Sequence, residues 1–125
     1  MRVVDLATGF TAASAPGTSG VLPTITGSTG SPSNVTAGAG VSPSGDVAEI
    51  IFVDGTGGVD ITASPQVAVG TTIGTNLILV GTSDANSVLL EDGDGLSLNG
   101  DMLLQQNSTI SLIWDGTVWS EESRK

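Results

Sequence analysis

Five times between Asp54 and Gly116 the chain places an Asp or Asn directly before a Gly: Asp54-Gly55, Asp92-Gly93, Asp94-Gly95, Asn99-Gly100 and Asp115-Gly116. These dipeptides tolerate the positive φ of tight turns. Between apolar runs they are the strongest short-range signal for a two-residue hairpin. The runs they punctuate are short: 47–53, 66–69, 77–80, 88–90, 96–98, 102–104 and 109–114, with Val118-Trp119 closing. No segment keeps a 3.6-residue apolar period over three turns, so a helix has no stripe to bury. Residues 46–125 therefore read as an all-β body, a small antiparallel β-sandwich or barrel of short strands.

The last hairpin can be read in register. With Asp115-Gly116 as a two-residue turn, Trp114 faces Thr117 and Leu112 faces Trp119. Ile110, Leu112, Trp114 and Trp119 then share one face, as body packing or a subunit interface. Ile113 and Val118 pair on the other face, so both sides of the hairpin are expected to be covered. The Asn99-Gly100 turn similarly groups Leu96, Leu98 and Leu103, with Asp101 near the turn.

Residues 1–45 differ in kind. They are built from Ala, Gly, Ser, Thr and Pro, and hold four of the five prolines, Pro16, Pro23, Pro32 and Pro43. Proline breaks helices and removes ladder donors. Apolar residues come in small groups, Val3, Val4, Leu6 and Phe10, then Val21, Leu22 and Ile25. The region cannot build its own core and is expected to be an extended N-terminal arm. Its anchors Val3, Val4, Leu6 and Phe10 contribute only when buried against a partner.

Composition removes whole classes of function. There is no Cys, His or Tyr. That excludes disulfides, thiolate and imidazole catalysis, and Cys/His metal or haem sites. The basic residues are Arg2, Arg124 and Lys125 against 13 acidic ones, a net charge of -10. Nothing between them can neutralise a phosphate, so neither nucleic acid nor an anionic membrane is an expected partner. Asp5 interrupts the first apolar run, so no signal peptide is expected, and synthesis in a cytoplasm is expected with it.

The remaining motifs read as structure. In Asp92-Gly93-Asp94-Gly95 a calcium loop would need a third ligand where Leu96 stands and a Gly where Ser97 stands. Glu91, Asp92, Asp94 and Asp101 are thus expected to be solvated turn residues. Gly55-Thr56-Gly57-Gly58 lacks the last Gly of a dinucleotide fingerprint and a following helix. Glu121-Glu122 has no aromatic cleft around it for glycoside hydrolysis. Trp114 and Trp119 could offer a sugar-stacking platform, but the apolar face they share favours packing. No enzyme activity, cofactor or metal is expected.

The C-terminal half carries a resemblance. Its residues run from Gly74-Thr75-Asn76-Leu77-Ile78-Leu79-Val80, through Val88-Leu89-Leu90-Glu91-Asp92-Gly93 and Gly95-Leu96-Ser97-Leu98-Asn99-Gly100. They end with Ile110-Ser111-Leu112-Ile113-Trp114-Asp115-Gly116-Thr117-Val118-Trp119-Ser120-Glu121. This stretch resembles a short β module of tailed-bacteriophage virion proteins, found in head decoration (cement) proteins and tail fibres. The resemblance implies a homotrimer and a place in the virion. It admits two functions: a decoration protein bound to the major capsid protein on the outer capsid surface, or a tail-fibre tip binding a receptor or carbohydrate. A chain without shaft repeats and with an arm of few charges favours the first.

Overall fold

The structure, a computed structural model, describes residues 25–27, by their backbone, and 32–125. The expected anchors Val3, Val4, Leu6 and Phe10 lie outside the described residues. Within them the chain is all-β, with no helix. The strands are β1 (Ile25–Gly27), β2 (Ser33–Asn34), β3 (Ala48–Asp54), β4 (Val59–Asp60), β5 (Asn76–Gly81), β6 (Val88–Leu90), β7 (Leu96–Ser97), β8 (Met102–Leu104), β9 (Thr109–Trp114) and β10 (Trp119–Arg124). Seven form one sheet in the order β1-β3-β5-β9-β10-β7, with β2 also on β3; the second sheet is β4-β6-β8.

From β3 to β9 each strand lies in the other sheet from the one before it. The first successive passes through each sheet run the same way, and the later ones, β8 and β9, reverse. β3 pairs parallel with β5, Ile50 beside Ile78, and β4 pairs parallel with β6, Val59 beside Val88. A parallel bridge from Val41 to Val67 continues the winding along a third line. The antiparallel pairing expected from the turn dipeptides holds for β5 with β9, β6 with β8, and β9 with β10. The other five partnerships are parallel.

The reason lies in the turns. Asp54-Gly55 and Asn99-Gly100 are turns, but they carry the chain across to the opposite sheet instead of back along the same one. The hairpin expected at Asn99-Gly100 is not formed: β7 pairs parallel with β10 and β8 pairs with β6. Leu96 and Leu98 are buried while Leu103 points outward, 42% exposed. Two of the dipeptides close antiparallel turns. Asp94-Gly95, both at positive φ, is the expected two-residue turn and joins Gly93 to Leu96 through two bonds (3.0 and 3.1 Å). Asp115-Gly116 closes the β9–β10 hairpin, whose loop has four residues, not two. Trp119 pairs with Trp114 and Ser120 with Ile113. Asp115 explains the longer loop. Its Oδ1 accepts the backbone N–H groups of Thr117 (2.8 Å) and Val118 (2.9 Å), and Gly116 takes φ +100° beside it. Val118 thus lies in the loop and does not face Ile113.

Alternation decides what faces inward. β5 and β9 each bury every second residue. Ile51, Val53, Leu77, Leu79, Ile110, Leu112, Trp114 and Trp119 from the large sheet meet Val88, Leu90, Met102 and Leu104 from the small one. The connections add Val35, Val41, Ile61 and Val67. Val35 and Val41, at 2% and 3% exposure, show that the body begins before residue 46. The carbonyl of Gly45 also accepts the N–H of Thr71 at 2.7 Å. A region too poor to build its own core still supplies single valines to a core built by others, so the boundary at residue 45 does not divide the fold.

Candidate functional site

Two neighbouring features gather the residues singled out above. The first is the tryptophan pair at the end of β9 and the start of β10. The ring centroids lie 5.4 Å apart with the planes tilted by 58°. The Nε1–H of Trp119 donates to the carbonyl of Ala68 at 2.9 Å. Gly70 lets the backbone pass against Trp114: a Cβ at this position would lie 2.5 Å from the indole. Ile110, Leu112 and Trp119 are fully buried and Trp114 is 5% exposed. No indole face is open for a sugar to stack on; the pair is packing within the chain.

The second is the corner between β6, β7 and β8, closed by β10. Its carboxylates brace the backbone. Asp92 Oδ1 accepts the N–H of Leu98 (2.8 Å), and Asp101 Oδ1 accepts the N–H of Asp92 (2.9 Å). Asp94, in the left-handed region at φ 51°, accepts the hydroxyl of Ser64 at 2.6 Å. Glu121 accepts the N–H of Asn99 (2.8 Å) and holds Arg124 through both oxygens, each at 2.7 Å. Arg124 then donates to the carbonyls of Gly100 (2.7 Å) and Asp101 (3.1 Å). One guanidinium thus ties the last strand to the corner. Among the described residues no three acidic side chains converge as a metal set.

Gln66 escaped the sequence reading. It is 3% exposed, and its amide donates to the carbonyls of Glu91 (2.8 Å) and Gly93 (3.0 Å) while accepting the N–H of Glu91 (2.9 Å). The side chain stands in for a strand partner along the edge of the corner. A buried amide needs such a full set of partners. The only signal was a polar residue opening an apolar run. Gly55-Thr56-Gly57-Gly58 is a structural turn, with the N–H of Gly57 on Asn86 Oδ1 at 3.0 Å.

The charges of this region set a pH dependence. The hydrogen bond from Arg124, with that from Asn99, holds Glu121 below its ordinary value of 4.5. The N–H groups of Val118 and Thr117 hold Asp115 below 3.8. Glu91 is pushed above 4.5, chiefly by the like charge of Asp60. A lowered carboxyl adds stability that is present at neutral pH and lost as the pH falls through its folded value. A raised one does the reverse: its contribution is complete in acid and lost as the pH rises through the folded value. On acidification from neutrality the melting temperature is expected first to rise as Glu91 takes up its proton. It then falls at lower pH, as Glu121 and Asp115, both held below their ordinary values, take up theirs. Calorimetry across the carboxyl range checks this, and Glu91→Gln should flatten the rise but keep the fall. A profile without the acid fall contradicts the bracing role of Glu121 and Asp115.

Compared with known proteins, the chain matches no protein family, no curated sequence and no solved structure.

Proposed function

We propose that the chain is a capsid decoration protein of a tailed bacteriophage, a cement protein that binds the major capsid protein on the outer surface of the shell. The observation that carries this reading is where the resemblance falls. Residues 74–121 contain most of the buried core, from Leu77 and Leu79 to Trp114 and Trp119. The likeness therefore rests on residues that build the body, and polar groups of the corner are occupied in holding its backbone. A protein of this kind needs no chemistry. It adds buried area across capsomer boundaries, at roughly 25 cal/mol per Å² of apolar surface, and so resists the pressure of packed DNA. The fibre-tip reading loses its best ligand platform with the burial of both indoles.

Self-association as a trimer belongs to the same proposal. The outward side of the large sheet supports it. Phe52 is 38% exposed, and Ile50, Ile78 and Val80 beside it are only half-buried. Among the described residues the carboxylates on this face are Asp54, at the end of β3, and Glu122, which is held by the Asn76 amide (2.7 Å) and the Ser111 hydroxyl (3.0 Å). Copies that each carry a charge of -10 can approach one another most readily there.

The arm is proposed as the attachment. Removal of residues 1–24 leaves β1 and the whole described core in place. The truncated protein is expected to stay folded and trimeric by sedimentation, yet to lose binding to capsids stripped of their decoration protein. Leu6→Ala with Phe10→Ala should weaken binding in the same direction, and added salt should matter little because the arm has few charges. Full occupancy by the truncated protein would move the attachment to the body. Failure of the full chain to bind any such capsid would remove the function itself.

A further inference from the structure

The chain has five asparagines, Asn34, Asn76, Asn86, Asn99 and Asn107. Loss of a side-chain amide from asparagine proceeds by attack of the next residue's backbone nitrogen on Cγ. The reaction therefore needs that nitrogen free of a hydrogen bond, a small following residue, and a side chain that is not tied down. Four of the five fail. The nitrogen after Asn34 belongs to buried Val35 and donates to the carbonyl of Asp54 (2.9 Å). Asn76 precedes buried Leu77 inside β5, and its amide holds Glu122 at 2.7 Å. Asn86 is held at both ends of its amide, by Asp54 Oδ2 (3.2 Å) and the N–H of Gly57 (3.0 Å). The nitrogen after Asn107 donates to the carbonyl of Gln105 (3.1 Å).

Asn99 is different. It is exposed, its side chain makes no hydrogen bond among the described residues, and neither does the nitrogen of Gly100. Gly100 sits at φ +93° with open space where a Cβ would be. We propose that Asn99 is a site of spontaneous covalent modification, converting to aspartate or isoaspartate. The Gly100 nitrogen loses its proton and forms a bond to Asn99 Cγ. The Cγ–Nδ2 bond breaks, and the nitrogen leaves as ammonia with that proton. Water then opens the five-membered imide at either carbonyl, giving aspartate or, with the main chain rerouted through Cγ, isoaspartate. No other reactant is required.

The position has a structural consequence. The N–H of Asn99 is anchored on Glu121 and the carbonyl of Gly100 on Arg124, one on each side of the bond that is rerouted. Isoaspartate adds a methylene between the two anchors, and either product sets a new carboxylate beside Glu121. Both loosen the hold of β10 on the corner.

The test is incubation of the folded protein at mildly alkaline pH, followed by peptide mass mapping and labelling with an isoaspartate methyltransferase. Position 99 is expected to convert about fivefold faster, or more, than any other asparagine, from the conformational freedom of glycine alone. Asn99→Gln should remove the main acidic species while the thermal unfolding curve stays in place. In urea the other four should speed up and position 99 change least. Faster conversion at Asn86 or Asn107 in the folded protein overturns the proposal, as does conversion of position 99 only in urea.

Discussion

Replacing Trp119 by alanine is expected to destabilise the body by about 3–5 kcal/mol, the range for truncating a large buried aromatic. Trp119 is fully buried, and the change removes three things together: the packed indole, its contact with Trp114, and the hydrogen bond to the carbonyl of Ala68. For a domain of this size each kcal/mol moves the melting temperature by roughly 4–8 °C. The shift should be obvious in a scanning calorimeter. Trp119→Phe keeps a ring but loses the N–H and some volume. It should cost less, about 1–3 kcal/mol. If Trp119→Ala barely moves the midpoint, the indole is not the keystone between the sheets.

The second large effect is expected at Gly81, where the end of β5 passes the turn after β8. A Cβ at this position would lie 2.7 Å from the nitrogen of Gln105 and from the carbonyl carbon of Leu104, and would collide with the Gln105 carbonyl oxygen. All three are backbone atoms, so no side chain can swing aside. Gly81→Ala must separate β5 from this turn and lengthen the 2.8 Å bond from its N–H to the carbonyl of Ser108. Overpacking costs about 1–3 kcal/mol where a site can relax, and a backbone wall puts this one at the top of that range or above it. Gly38→Ala is the control. It meets nothing within 4 Å, and a surface change of this sort stays within about 0.5 kcal/mol. Equal denaturant midpoints for the two variants would show that β5 and the turn can part freely.

The strands themselves were legible and, apart from the β9–β10 hairpin, their partners were not. The runs at 47–53, 77–80, 88–90, 102–104 and 109–114 correspond to β3, β5, β6, β8 and β9, because alternating burial leaves its mark residue by residue. Partnership depends on whether a turn folds back or crosses to the other sheet. Asp-Gly serves both, as Asp54-Gly55 and Asp115-Gly116 show within one chain. The run at 66–69 gave only the bridge of Val67 to Val41. β10, with the sequence WSEESR, has a single buried residue, and after Trp119 no apolar alternation marks it as a strand. The burial of Ile110, Leu112, Trp114 and Trp119 could be read because a shift in the loop by two residues preserves the face. The corner could not. Glu121 and Asn99 lie 2.8 Å apart through a bond between distant segments, and no local spacing announces it.

The place of β10 also governs when the molecule can fold during its synthesis. The last of the described strands does not cap an edge: it lies between β9 and β7, and pairs with both. Domains made on the ribosome generally acquire structure from the N-terminus onward. Here β5 waits for β9, and β7 waits for β10, so the nascent chain has no closed core until Trp119 has emerged. Non-local pairings of this kind make folding slow for the chain's length. A product that stops short of β10 leaves Leu96 and Trp114 without their strand partner.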